Sequence, residues 1–146
     1  MQSKNNLLSD QVAAITDKMP GTCRIRATVK FTKDTKKCGL LIRCDNEFDH
    51  SYYLQLEPTD NRLSFDMWPR ERSETTRMVE LDRQIQLVPG KPYTFELFID
   101  GNKGVLYLND QIAMNFRAYN LKEGAFGIFA TEGSAEFSDI SLAERS

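Results

Sequence analysis

Apolar and polar residues alternate along short stretches of the chain from Gly21 onward. The stretches are rich in Val, Ile, Phe, Tyr and Leu, and turn-forming residues separate them about every eight to twelve positions. Alternation with a period of two places the apolar side chains on one face of a strand and the polar ones on the other. The pattern predicts an all-β, antiparallel β-sandwich with strands over residues 24–31, 38–45, 51–57, 62–68, 78–81, 93–100, 104–109, 112–117, 125–130 and 136–143.

Turn chemistry supports several connections between these strands. Residues 58–61 (PTDN), 89–92 (PGKP), 100–102 (DGN) and 109–110 (ND) combine the Pro, Gly, Asn and Asp residues that chain reversals favour. We therefore expect most connections to be short hairpins between antiparallel strands.

The first twenty residues differ from the rest because they are polar and poor in β-branched residues. The stretch LLSDQVAAITDKM is compatible with a short helix that has Ser9 as a weak N-terminal cap. We predict a linker or short helical lead-in over residues 1–20 and a sandwich domain over residues 21–146.

Loop lengths predict how the polar faces of neighbouring strands meet. If the 46–50 loop closes Asp45 against Ser51, Arg43 lies opposite Tyr53. If the PTDN turn closes the next hairpin, Tyr53 lies opposite Asp66 and Ser51 lies opposite Trp68. These registers predict one polar face that carries Arg43, Asp45, Tyr53, Gln55, Asp66 and Trp68.

Such a face has the chemistry of a sugar-binding surface. Paired hydroxyl groups exchange hydrogen bonds with Arg, Asp and Gln side chains, and the C–H patches of a sugar ring rest on aromatic rings. Arg70 and Glu132 are two further candidates at the rim, although each is also typical of an ordinary solvated loop or turn. The alternative is an unspecialised polar face with weak surface ion pairs.

Charge and composition exclude several other functions. The formal net charge is −2, so neither nucleic acid nor a membrane surface is an expected partner. Cys23, Cys38 and Cys44 lack a CxxC spacing, and His50 is the only histidine, so we expect buried thiols and no metal or cofactor. The sequence shows no export signal, which favours a cytoplasmic protein, or a secreted one if the domain belongs to a larger exported enzyme.

Catalysis has weak support. Asp45, Glu57, Asp66 and Glu132 could supply the carboxylate pair that glycoside hydrolysis needs, but acidic pairs are common on sheets. The sequence contains no nucleophile elbow, phosphate-binding glycine loop or HExxH motif. We predict no catalytic residues.

Two long segments resemble a known family. They are GLLIRCDNEFDHSYYLQLEPTDNRLSFDMWPR and YTFELFIDGNKGVLYLNDQIAMNFRAYNLKEGAFGIFATEGSAEFSDISL, and they are similar to the C-terminal β-sandwich of family 32 glycoside hydrolases and to family 66 carbohydrate-binding modules. The resemblance implies a concanavalin-like jelly roll attached to a catalytic propeller domain that acts on sucrose, levan or inulin. It also implies binding of fructan or a fructo-oligosaccharide without catalysis, since the propeller motifs DPNG, RDP and EC are absent.

Three hypotheses follow. The first is a non-catalytic module that binds fructans or terminal fructose. The second is a structural or dimerisation domain without sugar affinity, in which outward-facing Phe98 and Tyr107 are candidate contacts to a parent enzyme or within a homodimer. The third is a sandwich-fold hydrolase of keto sugars.

Overall fold

The computed structural model describes residues 5–7, 11–16, 18–45, 50–68, 81–117 and 123–144. The described residues form β-strands and connecting turns in this order: β1 (Asn5–Leu7), β2 (Gln11–Thr16), β3 (Thr22–Phe31), β4 (Lys37–Cys44), β5 (Ser51–Glu57), β6 (Arg62–Trp68), β7 (Leu81–Gln84), β8 (Tyr93–Asp100), β9 (Lys103–Leu108), β10 (Ile112–Arg117), β11 (Ala125–Thr131) and β12 (Ala135–Glu144).

The strands form two antiparallel sheets that pack face to face. The first sheet has the order β1-β12-β3-β8-β9-β10, and the second has the order β2-β11-β4-β5-β6-β7. Every strand pair is antiparallel. The predicted concanavalin-like jelly-roll β-sandwich is therefore confirmed.

The core lies between the sheets and is built by the apolar members of the alternating pattern. Tyr52 stacks on Phe65 at a ring-centroid distance of 5.3 Å, and Phe65 stacks on Phe116 of the opposite sheet at 4.5 Å. Offset aromatic pairs of this kind add to the free energy gained from burial. Cys23, Cys38 and Cys44 are buried, as expected.

The second hairpin of the second sheet has the register that its turn predicts. Glu57 lies opposite Arg62, Tyr53 opposite Asp66, and Ser51 opposite Trp68. In the first sheet, Asn109 and Asp110 have φ values of 53° and 57°. Positive φ at both central residues is the geometry of a tight hairpin turn, so this prediction is confirmed.

The expected helix near the N-terminus is wrong. Gln11–Thr16 form strand β2, which pairs with β11, and Asn5–Leu7 form β1, which pairs with β12. The stretch VAAI is short and lacks a helical apolar stripe, so pairing with an open sheet edge outweighs its weak helix propensity.

One further strand differs from its prediction. A strand was expected over residues 78–81, of which residues 78–80 lie outside the described residues. The structure has β7 at Leu81–Gln84, where it pairs with β6. The sequence LDRQ is mostly polar, as edge strands often are, so it does not show the apolar alternation that predicts a strand.

Within the described ranges, no helix is long and apolar enough to cross a bilayer.

Candidate functional site

A concavity of about 340 Å³ opens on the outer face of the second sheet. We call it the outer pocket. Its walls combine two aromatic rings with amide, carboxylate, hydroxyl and ammonium groups. Its lining residues are Lys36, Lys37, Tyr53, Gln55, Asp66, Phe129, Thr131 and Glu132.

A glycine in the middle of the sheet lies beside two residues of the pocket. Gly39 lies between Phe129 of β11 and Gln55 of β5 in the strand register. A Cβ atom at this position would come within 2.1 Å of the Leu54 carbonyl oxygen. The absence of a side chain at Gly39 therefore lets β4 and β5 approach closely at the strand position between these two lining residues.

Tyr53 forms an aromatic wall together with Phe129. The two rings meet edge to face, with centroids 5.2 Å apart and an interplanar angle of 79°. Burial is the main cause that raises the pKa of Tyr53, and Cys44 and Asp66 raise it further. The phenol therefore keeps its proton at neutral pH and can both donate and accept a hydrogen bond.

Asp66 is the pocket carboxylate nearest to this wall in the strand register, where it lies opposite Tyr53. Its Oδ1 accepts a hydrogen bond of 2.8 Å from the backbone N–H of Met67. This bond holds the half-buried carboxylate in one orientation.

A chain of hydrogen bonds supports Gln55 from beneath the surface. Gln55 Nε2 donates to Ser64 Oγ at 3.2 Å, and Ser64 Oγ donates to Glu57 Oε2 at 2.5 Å. Arg62 donates to both Glu57 oxygens, at 2.9 and 3.2 Å, and to Asp82 at 3.0 Å. Gln55, Glu57 and Ser64 are buried, so the network satisfies polar groups that would otherwise destabilise the fold.

The rim of the outer pocket is charged and exposed. Lys36 Nζ lies 3.4 Å from Glu132 Oε2, with side-chain exposures of 61% and 52%. Glu132 has a φ of 51° in the turn after β11. A pair this exposed contributes little to folding free energy and is free to rearrange around a ligand.

The structure gathers four of the predicted site residues at this pocket: Tyr53, Gln55, Asp66 and Glu132. The prediction that Tyr53 faces Asp66 explains most of this agreement, because the short turn after Glu57 fixes that register.

Arg43 does not belong to the polar face. Leu41, not Arg43, lies opposite Tyr53, and the β4–β11 pairing shifts register beside Arg43, which has a φ of 54°. A bulge of this kind inserts one residue and reverses the direction of the next side chain. Arg43 is accordingly only 2% exposed and donates to the carbonyl of Gly101.

The electrostatics of Arg43 agree with this burial. Loss of solvent lowers the pKa of its guanidinium below the ordinary value, whereas Tyr52 and Cys23 act in the opposite direction. Both of these neighbours belong to the core cluster. The prediction that Arg43 lies opposite Tyr53 on the polar face is therefore wrong.

The other three predicted residues lie elsewhere or are not described. Asp45 follows β4, outside the pocket lining, and its Oδ2 lies 2.7 Å from His50 Nδ1. The backbone of Trp68 pairs with Ser51, as predicted, but its side chain lies outside the described part of the structure. Arg70 also lies outside the described residues.

Sequence reasoning missed half of the lining, namely Lys36, Lys37, Phe129 and Thr131. All four lie on or beside β4 and β11, which are neighbours in the sheet but distant in sequence. Alternation identifies the outward residues of each strand, yet no hairpin links these two strands. One sequence feature that points to this region is Gly39, because a glycine within an apolar strand often marks a place where a ligand or another backbone segment approaches closely.

A larger concavity, of about 620 Å³, lies at the first sheet beside Phe98, Asp100, Lys103, Asn115 and Arg117. Its charged residues are exposed on the sheet surface and at a hairpin end. In the larger concavity the Asp100 carboxylate accepts a hydrogen bond from Thr22. The outer pocket is smaller, but its amide, Gln55, is buried and is held by a chain of hydrogen bonds. Because binding favours groups that are oriented in advance, the outer pocket is the stronger candidate for a functional site. No cluster of three potential metal-binding His, Cys, Asp or Glu side chains occurs in the described ranges.

Neither a protein-family model nor a curated protein matches this chain in sequence. Solved structures do match its fold. The carbohydrate-binding module CBM66 from Bacillus subtilis superposes with a TM-score of 0.73 and 13% identity, over 97% of this chain and 82% of that one. A galectin from Caenorhabditis elegans gives a TM-score of 0.64 at 14% identity, covering 94% of this chain and 96% of the galectin.

Two fungal enzymes contain the same fold as part of a longer chain. A fructosyltransferase from A. japonicus has a TM-score of 0.79 and 13% identity, over 98% of this chain and 25% of its own. A β-fructofuranosidase from Aspergillus kawachii has a TM-score of 0.79 and 14% identity, over 99% and 27%. This chain thus spans about a quarter of the length of these enzymes. It shares the lectin-like β-sandwich fold of the carbohydrate-binding module and of the enzyme domains, in agreement with the resemblance seen in its sequence.

Proposed function

We propose that this domain binds carbohydrate in the outer pocket and performs no catalysis, and that its ligand is a fructan or a terminal fructose unit. The observation that carries the proposal is the pairing of an aromatic wall, Tyr53 and Phe129, with a buried and hydrogen-bonded amide, Gln55, in one pocket. The shared fold of a carbohydrate-binding module supports the same conclusion.

The pocket offers the contacts that a neutral sugar needs. Aromatic carbon surface packs against the C–H groups of a sugar ring, while amide, phenol and carboxylate groups exchange hydrogen bonds with its hydroxyls. The volume of about 340 Å³ is at the low end for small-molecule sites. This size favours one terminal sugar unit over a long segment of polymer.

The choice of fructan rests on the resemblance to family 32 and family 66 domains. The fungal structures of the same fold are a fructosyltransferase and a β-fructofuranosidase. On this proposal the natural partner is a catalytic propeller domain of a parent enzyme, and the sandwich holds that enzyme near its substrate.

Isothermal titration calorimetry with levan, inulin, sucrose and fructose tests the proposal. We expect heat with at least one of them, and an affinity at least about tenfold weaker for Tyr53→Ala, equivalent to about 1.4 kcal/mol. Phe98→Ala is the matched control, because it removes a partly buried aromatic ring from the outer face of the first sheet. No heat with any sugar, and no retardation in a levan-containing native gel, would contradict the proposal.

A second candidate is a structural or dimerisation domain. Phe98 and Tyr107 form an edge-to-face pair with centroids 6.1 Å apart on the first sheet, and Tyr107 is exposed. Arg24 lies over the Phe98 ring at 5.8 Å. A homodimer through this face predicts a mass that rises with concentration in sedimentation experiments and falls back to the monomer in Tyr107→Ser. A concentration-independent monomer mass excludes that contact.

A further inference from the structure

We propose that Gln55 determines the specificity of the outer pocket by presenting its carboxamide oxygen as a hydrogen-bond acceptor, so that the pocket selects ligands that donate there. This inference rests on the proposed function and names the ligand chemistry of the same site. It follows from the direction in which each hydrogen bond beneath Gln55 must run.

The direction is set first at Arg62. A guanidinium group only donates hydrogen bonds. Its Nε and Nη2 atoms contact the two carboxylate oxygens of Glu57 at 2.9 and 3.2 Å. Glu57 is therefore held as a carboxylate, which only accepts.

Ser64 must then donate to Glu57. Its hydroxyl has a single hydrogen, and Ser64 Oγ lies 2.5 Å from Glu57 Oε2. Ser64 is fully buried, so no solvent molecule competes for that hydrogen. Only the lone pairs of Ser64 Oγ remain available to a further neighbour.

This leaves one orientation for the Gln55 amide. The group facing Ser64 must be a donor, and the structure has Gln55 Nε2 there at 3.2 Å. A flipped amide would set its oxygen against the oxygen of Ser64, with no hydrogen between them. The carboxamide oxygen, Oε1, therefore lies on the other arm of the planar group.

The free arm faces the outer pocket. Gln55 is only 3% exposed, yet in the described part of the chain every fully buried side-chain oxygen or nitrogen has a partner. The side chain of Gln55 has no hydrogen bond within the described residues other than the one to Ser64. Oε1 consequently keeps some contact with solvent, and the outer pocket is the concavity that Gln55 lines.

An oriented acceptor selects the chemistry of its ligand. A hydroxyl group can donate to Oε1, whereas a carboxylate, a sulfate or a fluorine substituent cannot, and each would leave Oε1 without its hydrogen bond. Asp66 is a second acceptor in the pocket, whereas Lys36 and Lys37 at the rim are donors. A ligand with several hydroxyl groups can satisfy both kinds of group, since a hydroxyl both donates and accepts. The ligand class is thus a polyol, and loss of the donor to Oε1 should weaken binding by about 10- to 100-fold.

The first arm of the test needs no ligand. In NMR spectra of the wild-type domain, the side-chain NH₂ signals of Gln55, assigned by their loss in Gln55→Met, should show a nuclear Overhauser effect to the β-protons of Ser64. In Ser64→Ala, the side-chain NH₂ protons of Gln55 should lose their protection from exchange with solvent. Freely exchanging NH₂ signals without that contact in the wild type would overturn the proposed orientation.

The second arm uses sucrose and its monodeoxy and monodeoxyfluoro derivatives at the fructosyl ring. At one position, both the deoxy and the fluoro derivative should lose about 10- to 100-fold in affinity for the wild type. Gln55→Met should remove this loss. Gln111→Met, an exposed substitution in the β9–β10 turn, should retain it.

The outcomes separate the two proposals. The inference is overturned if every fluoro derivative binds as tightly as sucrose while a deoxy derivative binds more weakly. That result would mean that the protein donates a hydrogen bond to the sugar hydroxyl and does not accept one from it. Ser64→Ala should weaken sucrose binding and reduce the discrimination against fluorine, which marks Ser64 as a positioning residue. If sucrose and the other sugars all fail to bind while the NMR contact is present, the proposed function fails together with the ligand role of Gln55, and the amide orientation stands.

Discussion

The two outer faces of the sandwich both carry polar residues, but these residues differ in how deeply they are buried. On the first sheet, β8 alternates regularly between buried residues and partly exposed ones. Its Glu96 pairs with Arg24 and Arg26, whose side chains are 45% and 47% exposed. On the second sheet, β5 is buried almost throughout, including Gln55 and Glu57.

This difference in burial separates a solvated surface from a candidate site whose polar groups are held in fixed orientations. In the Arg24–Glu96 pair the arginine side chain is 45% exposed, so water screens the pair, and we expect it to contribute at most about 1 kcal/mol. The Glu57–Arg62 pair is shielded and linked by Ser64 to the pocket amide. Polarity alone therefore does not distinguish the two faces, whereas burial of polar groups with a fixed hydrogen-bond direction does.

The largest expected effect concerns the glycines of the two sheets. A Cβ at Gly39 would meet the backbone oxygen of Leu54 at 2.1 Å, whereas one at Gly104 would meet the ring of Phe116 at 2.2 Å. Gly39→Ala must separate strands, so we expect it to lower the free energy of unfolding by about 3 kcal/mol or more. Gly104→Ala requires only that a ring shift, and should cost about 1–3 kcal/mol.

Urea unfolding followed by circular dichroism measures both effects. Gly21→Ala is the control, since nothing lies within 4 Å of a Cβ there, and we expect it to change stability by less than about 0.5 kcal/mol. Equal stabilities for Gly39→Ala and Gly21→Ala would show that the sheet does not pass so close to Gly39.

The next largest effect is the loss of folding stability when a glutamate is removed from each of the two faces. Glu57→Ala leaves Ser64 and Arg62 without their buried acceptor, although Arg62 keeps Asp82. We expect a loss of about 2 kcal/mol, below the full cost of breaking a buried pair. Glu96→Ala should lose less than about 1 kcal/mol, and its loss should shrink further at high salt.

Denaturant titrations at low and high salt measure this contrast. A Glu96→Ala loss as large as that of Glu57→Ala, and equally insensitive to salt, would mean that the two faces do not differ in the way their geometry indicates.

The smallest effect is the alkaline titration of Tyr53. Burial raises the pKa of Tyr53 above its ordinary value of 10.0, so the folded state holds this proton more tightly than the unfolded chain. Its contribution to stability is present in full below about pH 10 and is lost as pH rises through the folded-state pKa. The difference in absorbance near 295 nm between wild type and Tyr53→Phe should therefore have its midpoint above pH 10.

Tyr107→Phe provides the matching subtraction on the first sheet. A Tyr53 midpoint at or below pH 10 would show that the phenol is more hydrated than the packing against Phe129 implies.

The fold could be predicted from the sequence where a strand has one buried face and one solvent-exposed face. In β8 the apolar positions recur at every second residue, and the predicted and observed bounds are the same. The β5–β6 register was also predictable, because a short Pro-containing turn leaves few alternatives.

The rest of the site could not be predicted for physical reasons. The bulge beside Arg43 adds one residue to a strand whose sequence carries no sign of it, and the face of that side chain is reversed. Phe129 reaches Tyr53 only because β11 pairs with β4. That pairing depends on how the whole chain folds, so the local pattern does not encode it.

The buried cysteines have a consequence for handling the protein. Burial raises the pKa of Cys38 to about 12, and it raises that of Cys23 as well. At neutral pH the thiol of Cys38 therefore keeps its proton, and because Cys38 is buried, alkylating reagents and oxidants reach it only when the sandwich opens. The rate at which a thiol reagent labels Cys38 therefore measures how often the domain opens.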